Sequence, residues 1–340
     1  MTKIDQTKTE EKIANKLRNG SENESSSLKC LDNDDNKFHM TKIVEDETRR
    51  RKLLHYGSYF LMDMIVLTKT DVQAAELSKS NLSASLQPER KQVLIQDPET
   101  YSGLLYVPNL NSDDNSSRRT DDIDSALPLI IVLHGAGTNE EDAWNLANIK
   151  GEHAGLIPSL IEAGQAPTAL TENFVVATPY SQGKASLYEE PRRKVLSFID
   201  WICSEEGRKA TGCPHIDPKR IFLFGFSDGA TLAVELLTTK KFKAGIVAAY
   251  GFSGTLPDLA LERLKGIPIW IFHSQDDVIY SVKFSDKLFR SLQNVNNNNI
   301  VKYSRFEKDQ EGFTGRITGH STGITASKMK EIYEWMLSLN

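Results

Sequence analysis

Short apolar runs recur along the chain from Leu127 onwards: "LPLIIVLH", "NFVVATPY", "RIFLFGF", "AGIVAAYGF", "IPIWIFH" and "IVKYSRF". β-Branched and aromatic residues dominate them. Such runs suit strands covered on both faces, as a parallel sheet requires. Between them lie helical patterns, among them "EEPRRKVLSFIDWICSEEG", "GATLAVELLTTKK" and "SDKLFRSLQNV", and a single last helix is expected over "ASKMKEIYEWMLSLN". Strand and helix alternating in this way predict an α/β fold, with a mostly parallel central sheet flanked by helices on both faces. Two further strands, Lys91 to Gln96 and Tyr101 to Val107, are expected around the Pro-containing turn of "KQVLIQDPETYSGLLYVP".

The polar, Ser- and Asn-rich start suggests a disordered leader over residues 1–52, a helical extension over 53–90, and one α/β domain over 91–340. "NLNSDDNSSRRTDDIDSA" reads as a surface loop, and "NVNNNN" as a short polar loop before the last strand. A formal charge of −5 gives no reason to expect nucleic-acid binding. The basic cluster Arg49, Arg50, Arg51 and Lys52 reads as solvated surface, with a membrane-surface or targeting role as the alternative. Cys30, Cys203 and Cys213 are an odd, scattered set, which fits a reducing compartment better than a disulfide framework.

Residues Met1 to Cys30 hold no apolar signal-like core. "LLHYGSYFLMDMIVLT" is too short to span a bilayer and is broken by His55 and Asp63. A cytoplasmic protein without stable membrane insertion is therefore expected. The apolar patch "YFLMDMIVL" would need a groove on the main domain or a partner to cover it.

The chemistry concentrates where "RIFLFGF" runs into "SDGAT". Gly225-Phe226-Ser227-Asp228-Gly229 reads G-x-S-x-G in a strand–turn–helix context, the setting of a strained turn that presents a serine nucleophile. Gly225 and Gly229 keep that turn free of side chains that would strike the strand or the helix. Backbone donors for a developing oxyanion are expected from the N–H of Asp228 and of Ala136, the latter within "LHGAGTN", where Gly135 and Gly137 let the main chain curve beneath a carbonyl. Asp276 and Asp277 close the strand "IPIWIFH" at its carboxyl end, and spacing alone does not choose between them as orienter of a base. Of the seven histidines, His320 follows the last strand, with Gly319 freeing the loop to carry its ring over the turn. His134 and His273, at strand ends, read as loop-stabilising residues. His153 and His215 suggest no partner, and His39 and His55 belong to the N-terminal extension.

Serine, aspartate and histidine in that chain order, with "LHGAG", "GFSDGA", "HSQDD" and the closing "GH…EIYEWML", resemble the α/β-hydrolase superfamily. The resemblance is to its phospholipase/carboxylesterase group, which includes acyl-protein thioesterases and feruloyl-esterase-like proteins, and it covers roughly Lys91 to Asn340. It implies the α/β-hydrolase fold, and it favours Asp277, which stands four residues after the histidine of the "HSQDD" block. Some positions depart from the group. Ser274 replaces a glycine of that block, Tyr280-Ser281 stands where a Val-Pro pair is usual, and Asp228 occupies a position often held by Met or Gln. Three roles are open for the Asp228 carboxylate: disfavouring anionic substrates, raising the pKa of the base, or facing solvent.

The expected activity is hydrolysis of a carboxylic ester or thioester, on a small-molecule or acylated substrate. Ser227 attacks, His320 is general base, Asp277 is its orienter, and an acyl-enzyme forms. No cofactor and no metal are expected. The alternatives are a serine peptidase or amidase on the same fold and a non-catalytic binding protein on a hydrolase scaffold.

Overall fold

The computed structural model describes residues 88–93, 99–108, 126–136, 142–151, 153–181, 186–187, 192–296, 300–312 and 317–339. All of them lie in the unit that spans Gly57–Asn340. The leader over 1–52, nearly all of the extension over 53–90, the polar loop after Pro108 and Gly137 fall outside the described residues.

The strands are β1 (Glu89–Val93), β2 (Gly103–Val107), β3 (Leu127–Leu133), β4 (Val175–Pro179), β5 (Ile216–Phe226), β6 (Ala244–Ala248), β7 (Ile269–Ser274) and β8 (Val301–Phe306). They form one eight-stranded sheet in the order β1-β2-β4-β3-β5-β6-β7-β8. β1, β2 and β4 pair antiparallel, and every pair from β4/β3 to β7/β8 is parallel. The helices are α1 (Ile157–Glu162), α2 (Thr168–Thr171), α3 (Arg193–Cys203), α4 (Glu205–Thr211), α5 (Asp228–Leu237), α6 (Asp258–Leu264), α7 (Val282–Val295), α8 (Thr322–Lys328) and α9 (Lys330–Ser338), with a 3₁₀ turn at Ala143–Ala147. Among the described residues no helix is long and apolar enough to cross a membrane.

The apolar runs behave as two-faced strands. In β3, Leu129, Ile131 and Leu133 point into one core, and Ile130 and Val132 into the other. β5 repeats this with Leu223 on the first face and Phe222 and Phe224 on the second. The first face is covered by α3 (Val195, Phe198, Ile202), α5 (Leu232, Leu236, Leu237) and α7 (Leu288, Leu292). The second is covered by α1 (Ile157, Ile161) and α9 (Ile332, Tyr333, Met336). The result is three layers, helix on sheet on helix. Each fully buried Leu, Ile or Phe in them contributes about 1.5–3 kcal/mol relative to exposure.

Several elements differ from the sequence expectation. β1 starts at Glu89 and ends at Val93. β5 extends back to Ile216 through a register shift opposite β3. The helix expected over "EEPRRKVLSFIDWICSEEG" begins only at Arg193 and breaks at Ser204, whose extended backbone starts a second helix. Its hydroxyl accepts from Gly207 N at 3.0 Å and donates to Trp201 O at 2.6 Å, serving both ends of the break. The last helix is also two, α8 and α9, parted at Met329, and the Tyr333 hydroxyl spans the join by donating to Ser327 O at 2.7 Å. Cys203 and Cys213 are free thiols. Burial, with the nearby Asp200 charge adding and Lys241 opposing, pushes the Cys203 thiol up to about 11, so it is an unreactive thiol.

His134 and His153 form an internal pair, ring centroids 5.6 Å apart, with Tyr180 5.9 Å from His134. Burial holds His134 down to about 4, although a bond to the Gly135 carbonyl opposes it. Burial, then the His134 charge, holds His153 down to about 3. Both are neutral when folded, so the unfolded chain takes up their protons first. Stability is therefore present above the ordinary histidine value of ~6.5 and is lost as pH falls from there towards 4, by up to about 2.7 kcal/mol per pH unit for two protons. Urea unfolding at a series of pH values in that window checks this. His153→Gln is expected to flatten the slope by about one proton, and an equal slope in wild type and variant would contradict the account.

Candidate active site

β5 delivers its last residue, Phe226, to a turn that α5 leaves at once. Ser227 sits between them with φ 57° and ψ −122°, a conformation that side chains rarely adopt. Close packing imposes it. A Cβ at Gly225 would stand 2.4 Å from the Gly229 carbonyl oxygen and 2.8 Å from Ala233 Cβ, and one at Gly229 would stand 2.1 Å from the Leu133 carbonyl oxygen. The two glycines let α5 touch both β5 and the end of β3. Ser227 N–H is secured to the Ala248 carbonyl at 2.9 Å, so the turn is fixed to β6 as well.

The loop leaving β3 runs beside this turn. Gly135 lies with its would-be Cβ 3.0 Å from Ser227 Cβ, and Ala136 follows it, half-buried. Ala230 N and Thr231 N donate to the Ser227 carbonyl, whereas the Asp228 N–H, first in α5, has no intrahelical acceptor and lies at the positive end of the helix dipole. This end of α5 is suited to an oxygen that gains negative charge.

Asp277, almost fully buried, follows β7. Its Oδ1 accepts from Ile279 N and Tyr280 N, both at 2.8 Å. Its Oδ2 lies 2.8 Å from His320 Nδ1 and 3.2 Å from His273 Nε2. Burial alone would push this carboxyl up, but the hydrogen bonds from His273 and His320, the His320 charge and the Tyr280 amide outweigh it and hold it at about 2. It is an anion throughout the physiological range. Asp276 does other work: its Oδ1 accepts from the Ser274 hydroxyl and from Asp309 N, tying the loop after β7 to the loop after β8.

That second loop brings His320 in. Gly319 has φ 75°, and a Cβ there would stand 2.3 Å from both the Asp276 carbonyl carbon and Asp277 N. Its bare backbone lets the histidine loop lie directly on the aspartate loop. Val278 N donates to Thr318 O at 3.0 Å, and the Asp309 carboxylate accepts from the amide and hydroxyl of Ser321. His320 Nε2 then lies 3.0 Å from Ser227 Oγ. Because Asp277 is ionised and can only accept, Nδ1 carries the proton and Nε2 offers a lone pair to the serine hydroxyl. A hydroxyl, an imidazole and a carboxylate in this series can move a proton off the hydroxyl as it attacks an electrophile.

The structure brings Ser227, His320 and Asp277 together and sets Gly135, Gly225 and Gly229 around the turn. His273, read from the sequence as a loop residue, is buried and supports the same carboxylate. Its Nε2–H is shared between Asp277 and the Tyr280 carbonyl (2.9 Å), and its Nδ1 lies 2.7 Å from the Ser285 hydroxyl of α7. Its place four residues before Asp277, at the end of a buried strand, was the available signal. Among the described residues no group of three or more His, Cys, Asp or Glu is arranged to hold a metal ion.

A family model described as phospholipase/carboxylesterase matches residues 120–312, which include Ser227 and Asp277 but stop short of His320. Acyl-protein thioesterase 1 homolog 2 of Dictyostelium discoideum is 28% identical over 116 residues, 33% of this chain and 48% of that protein. The match thus spans about half of that relative's length. The crystal structure of a thermostable esterase overlays with a TM-score of 0.54 at 24% identity, covering 74% of this chain and 62% of that one, a likeness of fold.

Gly319→Ala tests the contact that seats His320. With a methyl forced against the Asp276–Asp277 peptide, stability is expected to fall by roughly 2–4 kcal/mol. The low-field proton NMR signal expected of a His320 Nδ1–H bonded to Asp277 should also be lost. An unchanged melting temperature and spectrum would show that the two loops are held otherwise.

Proposed function

The chain belongs to the phospholipase/carboxylesterase family, and from that premise we propose that it is a serine hydrolase that cleaves carboxylic ester or thioester bonds through an acyl-enzyme. The observation that carries this reading is the series Ser227 Oγ–His320 Nε2 at 3.0 Å and His320 Nδ1–Asp277 Oδ2 at 2.8 Å. It stands at the carboxyl ends of β5, β7 and β8.

Ser227 Oγ attacks the substrate carbonyl while His320 Nε2 accepts the hydroxyl proton. Asp277 holds the ring in the tautomer that can do this and stabilises the imidazolium that forms. The carbonyl oxygen, now negative, is received by the N–H of Asp228 at the start of α5 and by Ala136 N–H from the β3 loop. One such donor is worth about 3 kcal/mol of transition-state stabilisation. The imidazolium then passes its proton to the departing alkoxide or thiolate as the acyl–oxygen or acyl–sulfur bond breaks. Water, deprotonated by the same nitrogen, attacks the acyl-serine, and the carboxylic acid leaves. A buried nucleophile turn fixed by strand, helix and loop keeps the reacting groups in place without reorganisation.

Hydrolysis of a graded series of p-nitrophenyl acyl esters by wild type and Ser227→Ala tests the reading. Wild type is expected to turn over part of the series, and the alanine variant to lose roughly 10⁴-fold or more in kcat. Equal rates in the two proteins would sink it.

A further inference from the structure

Two of the departures from the family pattern meet beside His320. The Tyr280 hydroxyl donates to Asp228 Oδ1 at 2.5 Å across 52 positions of sequence. The Tyr280 ring stands edge-on to the His320 imidazole, centroids 5.4 Å apart, and Phe226 covers another part of that imidazole at 5.3 Å. Room for the tyrosine comes from Gly251 after β6, where a Cβ would stand 2.3 Å from the ring. Three loops therefore fix one aromatic wall: the acid loop supplies it, the β6 loop makes space for it, and the nucleophile turn binds its hydroxyl.

That wall determines where the Asp228 carboxylate is. A residue adjacent to Ser227 with a half-buried side chain is held against Tyr280, on the His320 side of the turn, instead of extending into water. Among the described residues Asp228 forms no ion pair, and its second oxygen has no hydrogen-bond partner. A fixed negative charge with a free acceptor oxygen thus stands on the residue next to the reacting serine, bound to the ring that flanks His320.

We propose that the Asp228–Tyr280 pair is a charge filter, which turns away esters with an anionic group near the scissile bond and accepts neutral or cationic ones. The inference rests on the hydrolase reading of the site and deepens it to a substrate class. Like charge in a partly dehydrated site raises the energy of the bound anion and of its transition state alike, so the rejection falls on kcat/KM. A cation or hydrogen-bond donor on the substrate has a ready acceptor in the free oxygen. Tyr280 contributes by fixing the carboxylate, and Gly251 by admitting Tyr280.

The test uses the full chain and two matched ester series. In one, a p-nitrophenyl ester carries a hexanoyl, an adipoyl (free carboxylate) or a 6-trimethylammoniohexanoyl group. In the other, phenyl hexanoates carry a neutral, carboxylate or trimethylammonium substituent on the ring. Asp228→Asn keeps an acceptor for the Tyr280 hydroxyl but removes the charge. In wild type, kcat/KM for the anionic ester is expected to stand below the neutral one, and in Asp228→Asn the anionic-to-neutral ratio rises by roughly tenfold. The cationic-to-neutral ratio falls correspondingly. The series in which the ratio moves tells whether the carboxylate faces the acyl or the leaving-group side.

Tyr280→Phe, which releases the carboxylate but keeps the ring, is expected to move the ratios the same way by a smaller factor. It serves alone should Asp228→Asn not fold. Ratios unmoved in both series by the variants overturn the charge filter while leaving the hydrolase reading intact. No Ser227-dependent turnover of any of these esters would overturn the hydrolase reading, and the filter with it.

Discussion

The site depends on the closeness with which α5 meets the sheet. Gly225 and Gly229 bring helix backbone against strand backbone, and Ser227, caught between, has no relaxed conformation open to it. A residue held in so sparsely populated a region costs about 1–3 kcal/mol. The burial that offsets this is local: β5 is enclosed between β3 and β6, with Phe222 and Phe224 on one face and Leu223 on the other. The strained turn is sustained by the middle of the sheet, where packing is most complete. The serine presented by this turn has its hydroxyl 3.0 Å from His320 Nε2.

Around this turn, each further group is held by contacts that are themselves held. Asp277 receives two backbone amides from its own turn and two imidazoles, one of which, His273, is positioned by Ser285 and the Tyr280 carbonyl. His320 is placed by a loop that rests on the aspartate loop through Gly319 and is tied by Asp309 to Ser321 and, through Asp276, to Ser274. A constellation supported in this way does not need to rearrange as charge develops, which is where enzymes gain most over water. Asp228 belongs to two parts of this design. In the proposed mechanism its amide receives the oxyanion, and in the proposed charge filter its carboxylate, bound by the Tyr280 hydroxyl, meets the incoming substrate.

Much of this was legible in the sequence because it rests on local chemistry. Apolar runs without alternation identify strands buried on both faces, and β3, β5, β6 and β7 are such strands. A serine between glycines at a strand-to-helix junction is a turn that few other residues could make. Asp277 was separable from Asp276 only through the family resemblance, since two adjacent carboxylates on a turn look alike until the direction of each side chain is known. The breaks at Ser204 and Met329 were not anticipated, because helical periodicity continues through both; at Ser204 capping by the serine hydroxyl outweighs it, while Met329 has no side-chain cap. His273 was read as a loop-stabilising residue, and the pairing of Tyr280 with Asp228 was not foreseen. Such long-range relations depend on where loops from distant strands converge, and no single stretch of sequence carries that information.

The central claim is that Ser227 is the activated nucleophile of a site completed by His320 and Asp277. The most direct measurement is reaction with a fluorophosphonate followed by peptide mapping by mass spectrometry. The account predicts a single phosphonyl adduct on the peptide containing Ser227, formed rapidly in wild type and hardly at all in His320→Ala. A folded protein that takes up no adduct, or that carries it on another serine, would contradict it.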